Sequence, residues 1–154
     1  MKRALMAIND IRKAARDRAQ EMKLPYAGAL LPAEAYELWQ RVPGARLVDV
    51  RTQAEWYWIG RIPGAVEIEI TSYPGNQPNP AFLAQLEQQV EKSAPVLFIC
   101  RSGGRSHNAA LLATQFGYGE CYNVLEGFEG DKDALGHRNV KGGWRAAGLP
   151  WAQS

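Results

Sequence analysis

The residues able to do chemistry in this chain concentrate in one short run, Cys100-Arg101-Ser102-Gly103-Gly104-Arg105-Ser106. It directly follows Pro95–Ile99, the most hydrophobic strand-like segment, and precedes a helical pattern from about Ser106 to Phe116. A cysteine between a buried strand and a helix start sits where ligands bind in open α/β sheets. In such a loop, consecutive backbone N–H groups are expected to curl around a point just above the sulfur, and the helix N-terminus adds roughly half a positive charge there. Gly103 and Gly104 let the backbone approach closely, while Arg101 and Arg105 bring two permanent cations. Each of these factors favours thiolate over thiol at Cys100. The same cradle suits a bound anion, so nucleophile and anion site fall together. Cys100 is therefore the expected nucleophile, with Arg101, Ser102, Gly103, Gly104, Arg105 and Ser106 expected to bind substrate. The plainer alternatives are a small buried hydrophobe at Cys100, a solvated charge at Arg101, an ion-pair partner at Arg105, and turn or N-cap duty for the serines.

The elements that must position this loop are legible as alternating strands and helices. Leu5, Ile8, Ala15, Ala19 and Met22 recur at helical spacing in an amphipathic N-terminal helix that Leu24-Pro25 ends. Pro32 opens a second helix carrying Ala35, Leu38 and Trp39 inward, stopped by Pro43-Gly44. The expected order continues with a strand at 46–50, a brief helix at 54–59 and a strand at 65–70. A loop follows at 72–80, then a helix opened by Asn79 and Pro80 that runs to about Lys92 with Phe82, Leu83, Leu86 and Val90 facing the core. After the strand at 95–99 and the loop helix, Cys121–Leu125 reads as a last strand. This alternation predicts a mainly parallel α/β sheet flanked by helices. The division expected is a helical extension over 1–25 and one α/β domain over 26–154.

A chain of 154 residues, 46% hydrophobic and with five tryptophans, is too apolar for a disordered segment and suffices for one core. The net charge of +2 does not argue for nucleic acid. No apolar run is long enough to span a membrane. The N-terminus carries charges where a signal peptide needs its apolar stretch, so a cytoplasmic location is expected. Cys100 and Cys121 read as reduced thiols, with Cys121 inert at the start of a buried strand. Residues 1–23 alone carry seven basic and three acidic side chains, a cationic segment that could steer an acidic partner.

Three blocks, Asp49–Ile68 (DVRTQAEWYWIGRIPGAVEI), Val96–Ser106 (VLFICRSGGRS) and Gly142–Trp151 (GGWRAAGLPW), resemble the single-domain rhodaneses in order and content. The resemblance runs from about Leu30 to Trp151. It implies the rhodanese α/β fold, a six-residue active-site loop, and ping-pong sulfur transfer. Cys100 would take a sulfane sulfur from a small anion such as thiosulfate and pass it to cyanide, a thiol or a protein acceptor, with no cofactor and no metal. The alternative in another class is a persulfide carrier acting with a protein partner, for which the basic N-terminal helix is the only sequence support.

The sequence departs from the family pattern at two places. Arg61 stands where the family commonly has His in G-H-I-P-G-A, and it is expected to be structural or exposed. Between Gly127 and Gly142 a segment intervenes, Phe128–Lys141, that should leave the sheet at the edge of Cys100. Phe128, His137 or Arg138 is expected near the sulfur if this excursion walls the site. Trp56 is expected in the core, and Tyr57 or Trp58 at the pocket. Asp49 and Arg51 match the family's D-x-R at a strand end and are expected to serve a scaffold ion pair rather than catalysis, with Glu55, one helical turn on, as the partner of Arg51. Cysteine phosphatases and arsenate reductases use a longer loop, C-x5-R, against C-x4-R here. A Cys100–His107 dyad and a zinc site from Cys100, Cys121, His107 and His137 are weaker readings.

Overall fold

The structure is a computed structural model and describes residues 6–153. Five parallel strands form the central sheet: β1 (Gly28–Leu30), β2 (Arg46–Asp49), β3 (Val66–Glu67), β6 (Pro95–Ile99) and β7 (Glu120–Val124), in the order β1-β7-β6-β2-β3. A separate hairpin pairs β4 (Thr71–Ser72) with β5 (Gln77–Pro78). The helices are α1 (Ile8–Met22), α2 (Pro32–Arg41), α3 (Gln53–Trp58), α4 (Phe82–Gln89) and α5 (Gly104–Gln115). No helix among the described residues is long and apolar enough to cross a membrane.

β6 lies at the centre, with Leu97 opposite both Leu47 of β2 and Tyr122 of β7. Every residue of β6 is buried, as a parallel strand covered on both faces requires. Its side chains alternate between two cores. Val96 and Phe98 join Phe82 and Leu86 of α4 and the alanines of α5, and Cys100 continues that row. Leu97 and Ile99 face Ile11 and Ala15 of α1 and Ala35 and Leu38 of α2. The pleat thus aims the cysteine at α5 rather than at α1.

The N-terminal helix belongs to this packing. Ile11, Ala15 and Ala19 are buried, Ile8 is half-buried, and Met22 is exposed; Leu5 lies outside the described residues. Arg12 pairs with Glu120 of β7 at 2.9 Å. Arg18 donates to Glu34 at 2.6 and 2.9 Å and to the carbonyl of Ala29. The middle of the apolar stripe of α1, Ile11 to Ala19, packs on its own domain, and Arg12 and Arg18 are tied to that domain.

Several boundaries differ from the sequence expectation. The strand expected at 65–70 keeps only Val66–Glu67, because the chain turns away into the β4–β5 hairpin, which occupies most of the expected loop. α4 stops at Gln89 rather than near Lys92, and Ala81 stands at its N-cap, with Asn79 Oδ1 accepting from the Ala81 N–H at 3.0 Å. α5 starts at Gly104, two residues before Ser106. There Gly103 takes φ +113°, a left-handed turn that side chains resist and that brings the chain into the helix early.

Candidate active site

Cys100 leaves the carboxyl end of β6 buried to 1% exposure, with its sulfur facing the first turn of α5. The N–H of Gly103 donates to Sγ at 3.2 Å, and Ser106 Oγ lies 3.2 Å away on the other side. Of the loop's backbone donors, Gly103 reaches the sulfur; those of the first turn of α5 have no intrahelical partner and remain for a ligand. Ser106 is fully buried and donates to Asn123 Oδ1 at 2.6 Å, while Asn123 Nδ2 donates to the Gly103 carbonyl at 3.2 Å. Asn123, on β7, therefore grips the helix-side half of the loop at two points, Gly103 and Ser106. The single proton of Ser106 serves either Asn123 or the sulfur. With the proton on Asn123, Cys100 must donate as a thiol. With it turned to the sulfur, a thiolate accepts from Ser106 and Gly103 together.

The two arginines part company. Arg105 is held by Glu55 of α3 at 2.7 and 3.0 Å. Burial works against the Arg105 charge, but the hydrogen bond and charge of Glu55 outweigh it and raise the guanidinium pKa. Burial likewise pushes Glu55 up, and its bonds from Arg105 and Thr52 overcome this and hold the carboxyl below its ordinary value. Glu55 is fixed from behind as well: Thr52 caps α3, and Glu55 returns a carboxylate oxygen to the Thr52 N–H at 3.2 Å. The expected Arg51–Glu55 pair is thus corrected. Arg51 is fully buried on Asp49, at 2.7 Å, stacks 4.1 Å over the ring of Phe128 and donates to the Gly60 carbonyl. The turn that carries Arg51 away from α3 leaves Glu55 to the loop. Arg101, by contrast, is exposed, and no ion pair to it is present among the described residues.

Arg101 and Arg105 border a cleft of about 680 Å³ shared with Glu55, Trp58, Tyr73 and Glu129. Trp58 and Tyr73 are largely exposed at its rim, whereas Trp56 is in the core as expected. The excursion after β7 does contribute a wall, through a residue the sequence reading passed over. Phe128 is fully buried beneath Arg51, His137 is exposed, and Arg138 donates to the Gly130 carbonyl. It is Glu129 that lines the cleft. The strand exit presses against the loop: Phe128 N–H donates to the Cys100 carbonyl at 2.8 Å and Glu129 N–H to the Arg101 carbonyl at 3.0 Å. A Cβ on Gly127 would lie 2.5 Å from the Arg101 carbonyl carbon, so this approach admits only glycine.

The remaining candidates stand apart. His107 Nδ1 shares a 2.7 Å hydrogen bond with Tyr26 Oη instead of the sulfur. Arg61 pairs with Glu67 at 3.1 Å and bridges to Ala152, a structural role as expected. Cys121 is buried at the opposite end of β7, and burial pushes its thiol up to about 11. Asn123, Glu55 and Glu129 were missed. Asn123 had a signal, a lone amide in the mostly buried strand ECYNV; the pairing of Glu55 with Arg105 and the place of Glu129 on the cleft are set by tertiary contacts and had none.

A cysteine at the end of the central parallel strand, inside a loop that becomes a helix, is the arrangement that characterises the site of this α/β domain. The model of the rhodanese-like domain matches residues 32–134, and the chain belongs to that family. It is 44% identical to Rv0390 from M. tuberculosis, whose crystal structure superposes with a TM-score of 0.78 over 84% of this chain and 99% of that one. An uncharacterized protein of Rickettsia conorii is 35% identical over 121 residues, 77% of this chain and 91% of its own length. The thiosulfate sulfurtransferase GlpE of Tolumonas auensis is 29% identical over 90 residues, covering 58% and 74%. These likenesses support a sulfurtransferase family for the chain.

Proposed function

We propose that the protein is a sulfurtransferase that carries a sulfane sulfur on Cys100. The observation that supports this most directly is the sulfur of Cys100 held between the Gly103 N–H and the Ser106 hydroxyl, each 3.2 Å away, at the start of α5. The Gly103 N–H, joined by the Ser106 hydroxyl when its proton turns from Asn123 to the sulfur, stabilises a negative sulfur without any neighbouring base. In the first half-reaction the Cys100 thiolate attacks the outer sulfur of a donor such as thiosulfate. A Cys–S bond forms, the donor S–S bond breaks, and sulfite leaves with the electron pair. In the second, cyanide, a thiol or a protein thiolate takes the outer sulfur, and Cys100 leaves as thiolate. The free N–H groups of the loop would hold the persulfide and the incoming anion, with Arg101 the cation available at the mouth. The protein-carrier alternative has less to stand on, because Ile11, Ala15 and Ala19 of α1 are buried in their own domain. The C-x4-R spacing and the capture of Arg105 by Glu55 also disfavour a phosphatase.

The test is the intact mass after brief exposure to thiosulfate and removal of excess donor. A gain of about 32 Da that is absent in Cys100→Ser and reversed by cyanide is expected. The same gain in Cys100→Ser would overturn the assignment.

A further inference from the structure

The β4–β5 hairpin leaves one edge open beside the cleft. Asn79 N–H donates to the Ile70 carbonyl at 2.9 Å, one residue outside the Thr71–Pro78 pair, and Pro78 has no N–H to give. Thr71 and Pro78 therefore face each other as a non-hydrogen-bonded pair of the antiparallel ladder, and the Thr71 N–H and C=O turn away from β5. Neither group meets a partner among the described residues, and the Thr71 hydroxyl is likewise without one. The cleft lies on that side, since Thr71 and Ser72 of β4 line it and neither residue of β5 does. A half-buried residue whose donor, acceptor and hydroxyl are all unpaired offers a ligand a ready set of hydrogen bonds.

The surface around this edge is aromatic. Trp58 and Tyr73, 74% and 71% exposed, line the same cleft, and Tyr57, 58% exposed, meets Trp58 with ring centroids 5.1 Å apart. Large aromatics grouped in this way mark a contact surface. The three rings expose roughly 400 Å², about half of what one partner buries in a standard stable interface. That is too little to hold a second copy of the chain permanently, and it suits a short segment. The charges on the wall select no ion: Glu55 neutralises Arg105, and Arg101 and Glu129 are opposite in sign. The occupant that uses the edge and the rings together is a chain extended as a strand.

We propose that the open edge of β4 and its aromatic rim form a docking site for an extended, uncharged peptide segment of a partner protein. Thr71 N–H donates to a carbonyl of the segment and Thr71 C=O accepts from its N–H, while alternate side chains of the segment lie on Trp58 and Tyr73. The site goes beyond the sulfur reading and does not depend on it: Cys100 does not line this cleft, and docking needs no sulfur on the protein. It places a partner beside Arg101 and Arg105 of the loop, and α1 has no part in it.

The test is an NMR titration of the full chain, without sulfur loaded, with acetyl-Thr-Val-Tyr-Val-Thr-amide and with the same peptide N-methylated at its three central residues. Saturable shifts of the Thr71, Ser72 and Tyr73 amides and of the Trp58 indole N–H are expected. N-methylation, which removes the donors that the Thr71 carbonyl would accept, should raise Kd about tenfold or more. Trp58→Ala, at a largely exposed position that does not threaten the fold, should raise it about tenfold. Equal affinity for the two peptides would overturn the edge pairing, and shifts absent or confined to another surface would overturn the site. Sedimentation of the free chain is the companion measurement, with a monomer expected. A dimer that Trp58→Ala dissolves would mean that a second copy covers the rings, and would overturn the peptide assignment.

Discussion

The two cysteines are equally buried, each at 1% exposure, and lie on adjacent strands in the same core, yet they stand in opposite chemical settings. Cys100 ends β6 at the carboxyl edge, where the chain turns through Gly103 into α5 and a backbone N–H reaches the sulfur. Cys121 lies in β7 at the amino edge, where burial dominates and pushes its thiol up to about 11. Burial alone therefore does not fix a cysteine's surroundings. Which end of a parallel sheet it occupies decides whether a helix N-terminus and its unpaired donors stand beside it.

The strongest way to break this contrast is selective alkylation of the folded protein. Iodoacetamide at neutral pH should modify Cys100 at least a hundredfold faster than Cys121, since the thiolate is the reacting species and desolvation withholds it at Cys121. Peptide mapping by mass spectrometry reads both sites at once. Equal rates, or prior labelling of Cys121, would mean that the loop donors give Cys100 no advantage.

A smaller effect sharpens the comparison by weakening the active side alone. Ser106→Ala removes one of the two contacts to the sulfur, and Asn123→Ala frees the Gly103 carbonyl from its clamp. Ser106→Ala should slow sulfur loading by roughly tenfold to a hundredfold, the range for a lost hydrogen bond to a charged group; Asn123→Ala, which loosens Gly103 but also frees the Ser106 proton for the sulfur, should slow it less. Stopped-flow loading with thiosulfate checks it. If Asn123→Ala loads at the wild-type rate, the clamp is a packing feature.

Much of this contrast is readable in the sequence, for a definite reason. Cys100, Gly103 and the strand Pro95–Ile99 are adjacent in the chain, and adjacency carries their geometry: an apolar run, then glycines, then a helix. The rhodanese fold is legible in the same way, from alternation and from three blocks in order. The partners are not. Glu55 reaches Arg105 across fifty residues, Asn123 reaches Ser106 across seventeen, and Arg51 turns back to Asp49 instead of forward to Glu55. A helical-spacing rule suits Arg51 and Glu55 only if both lie on one helix, and Arg51 precedes the N-cap Thr52. The excursion shows the same limit: its lining residue, Glu129, is set by the contact of Gly127 with the loop, which only the tertiary structure supplies.

The mildest expectation concerns the inert side. Cys121 titrates near 11 in the folded protein against an ordinary value near 9. An acid whose folded pKa is raised contributes stability that is complete below its unfolded pKa and lost as pH rises through the folded one. Folding stability should therefore decline between about pH 9 and pH 11. The thiol accounts for at most about 2 kcal/mol of that decline, given the size of the shift. Tyr26, pushed up to about 12 by burial, extends the same decline to higher pH. Urea unfolding of wild type and Cys121→Ala at pH 8 and pH 10.5 isolates the thiol's share. The variant should be less stable at pH 8 because its core loses the sulfur, and the gap should narrow at pH 10.5. A constant gap would mean that Cys121 titrates alike in both states, and the two cysteines would then differ only in what surrounds Cys100.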